Sequence, residues 1–276
     1  MFVSPMLLQR SEQPFDDESY ITELKLDGIR LILSKFDNRV QLYTRHNNEV
    51  TAKFPELLTI DIPDGTVIDG EIIVTDPAGK PDFEAMMSRF QSRRSFLENR
   101  TLSYVVFDVI QYKGKSVTKL PLIERKQLLD EIITQDTSLV TKVKYIEGHG
   151  AAYFDLVRAQ GLEGIVLKRK DSRYEVGKRS QAWLKVINYQ YEDVMITGLR
   201  KGEFGLLLSF LDGKPAGIME FMPQAERKEL YKLQQVVSED DKFIFIEPVK
   251  CRVKYRNLTK TGFLRIPSFV EWKKEF

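Results

Sequence analysis

Short runs of alternating apolar and polar residues fill most of the chain, and they limit the fold to one built mainly from strands. Because a period of two places successive side chains on opposite faces, each run predicts a strand, and consecutive strands predict an antiparallel sheet. Four such runs lie between about residues 21 and 112, separated by turn-forming pieces such as residues 63–65: ELKLDGIRLIL, RVQLYTR, TVIDGEIIV and LSYVVFDVI.

Helices interrupt these strands. Phe83, Met86 and Phe90 lie at helical spacing within residues 82–94, and a similar apolar stripe follows Pro121. A short third helix is predicted over residues 153–160, followed by the strands GLEGIVLKRK and QAWLKVI. We interpret the apolar stripes as core, which predicts an α+β fold.

Beyond about Ile187 the pattern changes to five short strands and one amphipathic helix over residues 225–237, all in under 100 residues. This combination is typical of a small Greek-key barrel of the OB type. A chain of 276 residues is long enough for two separate cores. We therefore predict two domains, residues 1–188 and residues 189–276.

Composition excludes several classes of site. The 42 Lys and Arg residues against 40 Asp and Glu leave a net charge of only +2, so any nucleic-acid surface must be a local patch. The single cysteine, Cys251, excludes an internal disulfide, and with only two histidines a Cys- or His-rich metal site is excluded as well. No signal-like start and no run of about 18 apolar residues is present, so we expect a cytoplasmic protein without a membrane partner.

One strand carries an unusual density of charge. In ELKLDGIR, residues 23–30, the period of two puts Leu24 and Leu26 on one face and Glu23, Lys25 and Asp27 on the other. The following glycine allows a turn or the close approach of a ligand. An edge strand with a solvated charged face explains the segment equally well when it is taken alone.

The segment KLDGIR, residues 25–30, resembles the nucleotidyl-transfer motif of ATP-dependent DNA ligases, whose superfamily also contains RNA ligases and mRNA capping enzymes. Further ligase-like motifs follow in order over nearly the whole chain: YTRHNNEV, KFPEL, IDGEIIV, YVVFDVI, EGIVLK, AWLKV and GFLRIPSF. The resemblance implies a nucleotidyltransferase (adenylation) domain with antiparallel sheets and flanking helices, followed by an OB-fold barrel. It is closest to the minimal two-domain type of bacteria and their viruses, acting as a monomer.

The resemblance also implies a role for each matching residue in binding ATP. Lys25 would attack the α-phosphate to give a lysyl-AMP intermediate, with Lys168 and Lys185 as the supporting cations. Phe107 would stack on adenine and Glu23 would contact its edge. The carboxylates expected to bind the ribose or Mg²⁺ are Glu71 and Glu163. Taken alone, Phe107 is typical of a core residue, and each of these glutamates is typical of a solvated strand or loop.

The chemistry asks for the same residue types. A lysine nucleophile must be neutral, yet with a reference pKa of about 10.4 only about 0.04% of it is neutral at pH 7. Nearby cations disfavour the ammonium form, and cations converging on one phosphate also stabilise phosphoryl transfer. We therefore expect Lys168, Lys185 and Mg²⁺ around Lys25.

The predicted partner is nicked duplex DNA. The resemblance assigns Arg30 and Arg45 to the ribose and the phosphates of the nick, and Arg265 to the barrel motif that orients pyrophosphate. Two basic stretches, residues 168–179 and residues 249–260, interleave Lys and Arg with Tyr174 and Tyr255. These stretches predict phosphate contacts, with plain solvated faces as the alternative.

Two positions depart from the family pattern. Ile187 stands where a second lysine is common, and Lys273-Lys274-Glu275 only approximates the usual basic ending. The predicted activity is sealing of 5′-phosphate, 3′-hydroxyl nicks, in DNA repair, replication or recombination. Two alternatives are an RNA ligase or GTP-using capping enzyme, and a catalytically silent protein that binds nucleic acid.

Overall fold

The computed structural model describes residues 1–92 and 100–273, and it divides into two compact units, Met1–Ile187 and Asn188–Phe276. No helix in these described ranges is long and apolar enough to span a membrane. The strands of the first unit are β1 Leu7–Arg10, β2 Asp17–Leu24, β3 Ile29–Phe36, β4 Arg39–Thr44, β5 Thr66–Thr75, β6 Thr101–Tyr112, β7 Lys115–Ser116, β8 Val140–Lys142, β9 Tyr145–Gly148, β10 Gly164–Arg169 and β11 Arg179–Ile187.

These strands form two sheets. One has the order β4-β3-β5-β6-β7, with β8 beside β6, and the other has the order β1-β11-β10-β2-β9. The pairings are antiparallel except for β1 with β11 and β6 with β8. Since β2 and β3 belong to different sheets, the four-residue link 25–28 carries the chain from one sheet to the other. Lys25 lies at the start of this link.

The prediction that ELKLD is a continuous strand is wrong. The strand β2 ends at Leu24, which packs on a core that includes Ile165, whereas Leu26 packs on a different core that includes Ile73. The link also runs against β5, where a Cβ atom on Gly28 would lie 2.2 Å from the carbonyl oxygen of Ile72. Only a glycine fits this close approach.

Among the described residues of this unit, three α-helices cover the sheets: α1 Phe83–Gln91, α2 Leu122–Ile132 and α3 Gly150–Ala159. Two short 3-10 helices, Thr51–Lys53 and Pro55–Thr59, follow β4. The side chain of Asp82 caps α1 by accepting a 2.9 Å hydrogen bond from the Ala85 N–H. Residues 93–94 of the predicted first helix lie outside the described residues. The third helix begins three residues earlier than predicted, where Asp16 accepts the N–H of Ala151 at 2.9 Å.

The second unit is a small barrel with one helix. Its sheet has the order β14-β13-β12-β16-β15, with β17 paired to β16, and a parallel bridge between Phe221 and Ser268 joins the segment after β14 to β17. The arrangement fits the predicted OB type. The elements are β12 Gln190–Arg200, β13 Leu206–Phe210, β14 Pro215–Met219, α4 Gln224–Leu233, β15 Val236–Glu239, β16 Phe243–Tyr255 and β17 Ser268–Trp272.

Two sequence predictions for this unit need correction. The helix predicted over residues 225–237 ends at Leu233, and residues 236–239 pair with β16 as an edge strand, as suits the β-branched pair Val236 and Val237. The motif GFLRIPSF becomes a strand only from Ser268, because Ile266 has a φ of +53° that interrupts the extended backbone.

Candidate active site

Lys25 is fixed at both its backbone and its side chain by the start of β10. Its N–H donates a 2.9 Å hydrogen bond to the Gly164 carbonyl, and its Nζ donates a 2.8 Å hydrogen bond to Oε2 of Glu163. The side chains are 18% and 4% exposed, so the pair is nearly closed to water. A Cβ atom on Gly164 would lie 2.1 Å from the Val186 carbonyl oxygen, so glycine lets β10 start tight against β11. The EGIVLK motif thereby delivers its glutamate to Lys25.

Positive charge accumulates around this pair. Lys185 lies on β11 opposite Val166, where burial lowers its pKa and the positive charge of Lys25 lowers it further. Arg179, Arg10 and Arg45 act on the pKa of Lys185 in the same direction. Closely spaced cations that destabilise one another's charged forms are typical of a site that binds an anionic ligand such as a phosphate.

A second group of charges joins β3 to β5. Arg30 lies opposite Glu71 in the ladder, and its guanidinium grips the fully buried Asp69, with Nε 2.9 Å from Oδ1 and Nη2 2.5 Å from Oδ2. The hydroxyl of Tyr174 donates to the same Asp69 at 2.6 Å. The bidentate fork of Arg30 therefore pairs with Asp69 inside the protein, and its contact with the nucleotide or the nick stays a prediction.

Within this group, the carboxyl group of Glu71 has a pKa shifted close to neutral pH. Burial raises its pKa to about 7, and the positive charges of Lys25 and Arg30 oppose the rise. The carboxylates of Asp69 and Asp27 push the pKa up again. Near neutral pH, Glu71 therefore exchanges between its acid and its carboxylate.

A buried cluster surrounds Glu23, whose side chain the sequence placed on a solvated face or at the adenine edge. Glu23 is only 2% exposed; its Oε2 lies 2.7 Å from Nζ of Lys168, and its Oε1 accepts a hydrogen bond from Lys126. The Lys168 Nζ also lies 4.5 Å from the ring centre of Phe107 and 4.1 Å from that of Trp183. Burial lowers the pKa of Lys168 to about 8, with Glu23 opposing.

The two predicted supporting lysines have different surroundings. The positive charge of Lys168 is compensated by Glu23, whereas the pKa of Lys185, lowered by burial, is lowered further by the charge of Lys25. Sequence reasoning missed Lys126 altogether. A lysine on the apolar face of the predicted second helix indicates a buried charge. It does not indicate the partner of that charge, because Glu23 lies 103 residues away in the chain.

The remaining predicted residues are placed as follows. Arg45 is exposed in the turn after β4, with its Nε 3.0 Å from Nε2 of His46. Arg265, in the second unit, lies 3.3 Å from the side-chain oxygen of Asn257. Ile187 ends β11 opposite Gly164 and is 8% exposed.

Some predicted surface features are internal. Tyr174 and Tyr255 are 3% and 6% exposed, so neither is the surface aromatic predicted for a DNA-binding stretch. Lys274 and Glu275 of the predicted basic ending lie outside the described residues.

The carboxylates near Lys25 are the groups that could share a divalent cation. In the described part of the chain no three His, Cys, Asp or Glu side chains cluster as a metal cage. Mg²⁺ is instead commonly held by one or two carboxylates together with the phosphates of a nucleotide. Glu163 and Glu71 fit that second mode, since both interact with Lys25.

An α+β unit that holds a lysine between two sheets, followed by an OB-type barrel, defines a covalent nucleotidyltransferase. Residues 5–186 match the family model described as ATP dependent DNA ligase domain. The chain belongs to the ATP-dependent DNA ligase family, so the enzyme class and the fold predicted from the sequence are confirmed. Nick sealing with ATP is the reaction of this family.

Curated relatives agree with this assignment. The chain is 56% identical over 273 residues to the SPbeta prophage-derived DNA ligase-like protein LigB of Bacillus subtilis (strain 168), covering 99% of this chain and 100% of that protein. It is 31% identical over 267 residues to the multifunctional non-homologous end joining DNA repair protein LigD of Mycobacterium tuberculosis (strain ATCC 25618 / H37Rv), covering 92% of this chain but 34% of LigD. The chain thus spans about a third of LigD.

A solved structure agrees as well. The structure of mycobacterial DNA ligase D complexed with ATP and MES shares 26% identity and a TM-score of 0.63, covering 99% of this chain and 96% of that one.

Proposed function

We propose that this enzyme seals nicks in duplex DNA in three steps that begin with the transfer of AMP from ATP to Lys25. The observation that carries the proposal is the enclosed 2.8 Å contact between Lys25 and Glu163, together with Lys185, whose pKa is lowered by burial and lowered further by the charges of Lys25 and three arginines. In this proposal the first unit is the adenylation domain and the second unit is the OB domain, with the boundary between them at residues 187–189.

In the first step, Nζ of Lys25, once it has lost a proton, forms a bond to the α-phosphorus as the bond to pyrophosphate breaks. Lys185 would neutralise the equatorial oxygens of the phosphate, since it is the lysine whose charge is coupled to that of Lys25. Phosphoryl transfer depends on alignment, and the hydrogen bonds at both ends of Lys25 provide it.

The nucleoside would lie between the two charged clusters described above. Phe107 would stack on adenine, and Glu23 would accept a hydrogen bond from its exocyclic amine. Glu71 would bind the ribose. This placement is supported by the position of Phe107 between the two clusters. Its ring is contacted by Lys168 of the Glu23 cluster and lies 5.3 Å from the guanidinium of Arg30.

Mg²⁺ would be held by Glu163 and Glu71 beside the phosphates of the nucleotide, and when bound it would neutralise phosphate charge. A carboxylate that pairs with Lys25 is available for this purpose only when the ammonium has lost its charge or moved. The proposal therefore links loading of the cation to deprotonation of the nucleophile.

In the second and third steps, AMP passes to the 5′-phosphate of the nick, and the 3′-hydroxyl then displaces AMP. Arg45, Arg30 and Arg265 are the proposed DNA contacts. One face of β16 adds a row of cations, Lys250, Arg252 and Lys254, opposite the buried Cys251 and Val253. Such phosphate contacts would give affinity without sequence preference.

The cellular setting is also a proposal. Lys25, Glu163, Lys185 and the residues proposed to bind the nucleoside all come from the first unit of one chain, which supports action as a monomer. A prophage-derived relative supports a cytoplasmic enzyme of a bacterium or its virus. The name of LigD supports a role in DNA repair, and replication or recombination are the other settings in which nicks arise.

Nick sealing with matched substrates tests the proposed function. Purified enzyme with Mg²⁺ is given ATP or GTP and a duplex with a single nick in either DNA or RNA. Sealing of DNA with ATP is expected. Sealing of RNA alone would identify the enzyme as an RNA ligase. Nucleotide transfer from GTP would identify it as a capping enzyme. Binding of nicked DNA without transfer from either nucleotide would identify it as a catalytically silent binding protein.

A further inference from the structure

Lys126 on α2 connects the two residues proposed to recognise the nucleobase. Its Nζ donates a hydrogen bond to Oε1 of Glu23 on β2 and a 2.8 Å hydrogen bond to the main-chain carbonyl of Phe107 on β6. Lys126 itself is 6% exposed. A third element of the fold thereby fixes the distance between the proposed stacking residue and the proposed edge reader.

Lys126 and Lys168 together hold both oxygens of Glu23. With Lys168 at Oε2 and Lys126 at Oε1, each oxygen of this buried carboxylate has its own ammonium. Two such partners fix the orientation of the carboxylate, and a carboxylate can only accept hydrogen bonds. Burial raises the pKa of the neighbouring phenols, Tyr145 on β9 and Tyr153 on α3, with Glu147 adding to the rise at Tyr145 and Glu23 at Tyr153. Neither phenol therefore adds a charge.

Adenine and guanine differ at the position that such an acceptor reads. Adenine carries an amine donor at position 6, whereas guanine carries a carbonyl acceptor there. A fixed acceptor therefore favours adenine. It disfavours guanine, because two buried acceptors that face each other without a hydrogen bond cost free energy. Loss of Lys126 would free Oε1 of Glu23, so the carboxylate could rotate away from the base and the discrimination against guanine would fall.

We infer that Lys126 is a positioning residue that sets the preference for ATP over GTP, by holding the carboxylate of Glu23 in a fixed orientation beside Phe107. The inference rests on the proposed function, since it assumes that Glu23 and Phe107 contact the base. It assigns no contact between Lys126 and the nucleotide. It separates Lys126 from its neighbour Arg125, whose buried pair with Asp108 at 2.8 Å belongs to the framework.

The test compares covalent labelling by α-labelled ATP and α-labelled GTP in wild type and Lys126→Met, taking the ratio of the two rate constants. The ratio should fall at least about tenfold in Lys126→Met, as expected for the loss of one charge-assisted hydrogen bond. Lys126→Arg should restore it. Lys119→Met, which removes an exposed lysine just before α2, should leave it unchanged.

A double-mutant cycle shows whether the effect passes through Glu23. Glu23→Gln should lower the ratio by itself, and adding Lys126→Met should lower it no further. If Lys126→Met does not fold, Lys126→Gln, which keeps a donor without the charge, replaces it in the cycle. Equal losses with ATP and GTP, so that the ratio stays at its wild-type value, would overturn the inference while leaving the proposed function intact. Absence of any label in the wild type would overturn both.

Discussion

Lys25 and Glu163 are 138 residues apart in the chain, yet the Lys25 ammonium donates a 2.8 Å hydrogen bond to the Glu163 carboxylate in a nearly enclosed site. The contact exists because the link after β2 and the start of β10 meet through the backbone hydrogen bond from Lys25 to Gly164. Lys25, the proposed nucleophile, is therefore oriented by Glu163 and Gly164 without any nucleotide.

Replacing Glu163 by glutamine should slow the formation of lysyl-AMP at least about tenfold, because glutamine accepts a hydrogen bond but lacks the charge that holds the ammonium or a divalent cation. Single-turnover incorporation of α-labelled ATP over a range of Mg²⁺ concentrations measures the effect. Glu147→Gln, at a glutamate whose side chain is 54% exposed, is the matched control. Equal rates for Glu163→Gln and wild type at every Mg²⁺ concentration would contradict the prediction.

Replacing Lys185 by methionine should shift the pH dependence of self-adenylation to higher pH. Loss of a nearby positive charge favours the ammonium form of the neighbouring nucleophile, so less neutral amine is present at a given pH. We expect at least about a tenfold loss of rate at pH 7 and a smaller loss at pH 9. Lys178→Met, at an exposed lysine before β11, is the control and should keep the wild-type profile. A loss of rate that is the same at every pH would contradict the prediction and would show that Lys185 binds the nucleotide without affecting the protonation of Lys25.

Replacing Glu71 by glutamine should stabilise the protein, but only at higher pH. Burial raises the folded-state pKa of Glu71 to about 7 from an ordinary value of 4.5, so the folded protein binds a proton that the unfolded chain has released. The carboxyl group therefore destabilises the fold increasingly from pH 4.5 to about 7, and fully above that.

We expect Glu71→Gln to raise the free energy of unfolding by about 1 to 3 kcal/mol at pH 8 and to leave it unchanged near pH 4. Urea unfolding at both pH values measures this. The exposed Glu131→Gln on α2 is the control and should have little effect at either pH. A destabilisation at pH 8 would show that the Glu71 charge holds the site together.

Removing charge from the partly exposed face of β16 that carries Lys250, Arg252 and Lys254 should weaken DNA binding and reduce its dependence on salt. Each phosphate that the protein no longer neutralises should reduce the slope of log K against log salt by about 0.9. Lys250→Ala combined with Arg252→Ala is the test, measured by titration of nicked duplex at several salt concentrations. Lys214→Ala, at an exposed lysine paired with Asp212, should leave the slope unchanged. An unchanged slope in the double variant would mean that this face is merely solvated.

The sequence predicted most of the strands because alternation is a local pattern. Alternation in IRLIL and DGEIIV defines β3 and β5, and the motif EGIVLK brings Glu163 to Lys25 through a glycine that no larger residue could replace. The same alternation misled at ELKLD, because a period of two continues through Asp27 although the chain leaves the sheet after Leu24.

Long-range partners could not be predicted in this way. Nothing near Lys126 in the chain indicates Glu23 as its partner. Likewise, the sequence around Tyr174 predicts a surface aromatic, whereas its hydroxyl donates a hydrogen bond to the buried Asp69. Composition predicts a DNA-binding stretch around Tyr174, but composition does not distinguish a framework hydrogen bond from a DNA contact. Packing between distant strands decides such cases.

Covalent labelling shows whether Lys25 is the nucleophile, on which every later step depends. Enzyme is incubated with α-labelled ATP and Mg²⁺, resolved on a denaturing gel and digested to map the labelled peptide, with Lys25→Ala and the exposed-lysine variant Lys119→Met beside the wild type. We predict an acid-labile label on the peptide that contains Lys25 in the wild type and Lys119→Met, absent in Lys25→Ala, and chased by nicked DNA. A label that persists in Lys25→Ala, or maps to another lysine, would contradict the proposed mechanism.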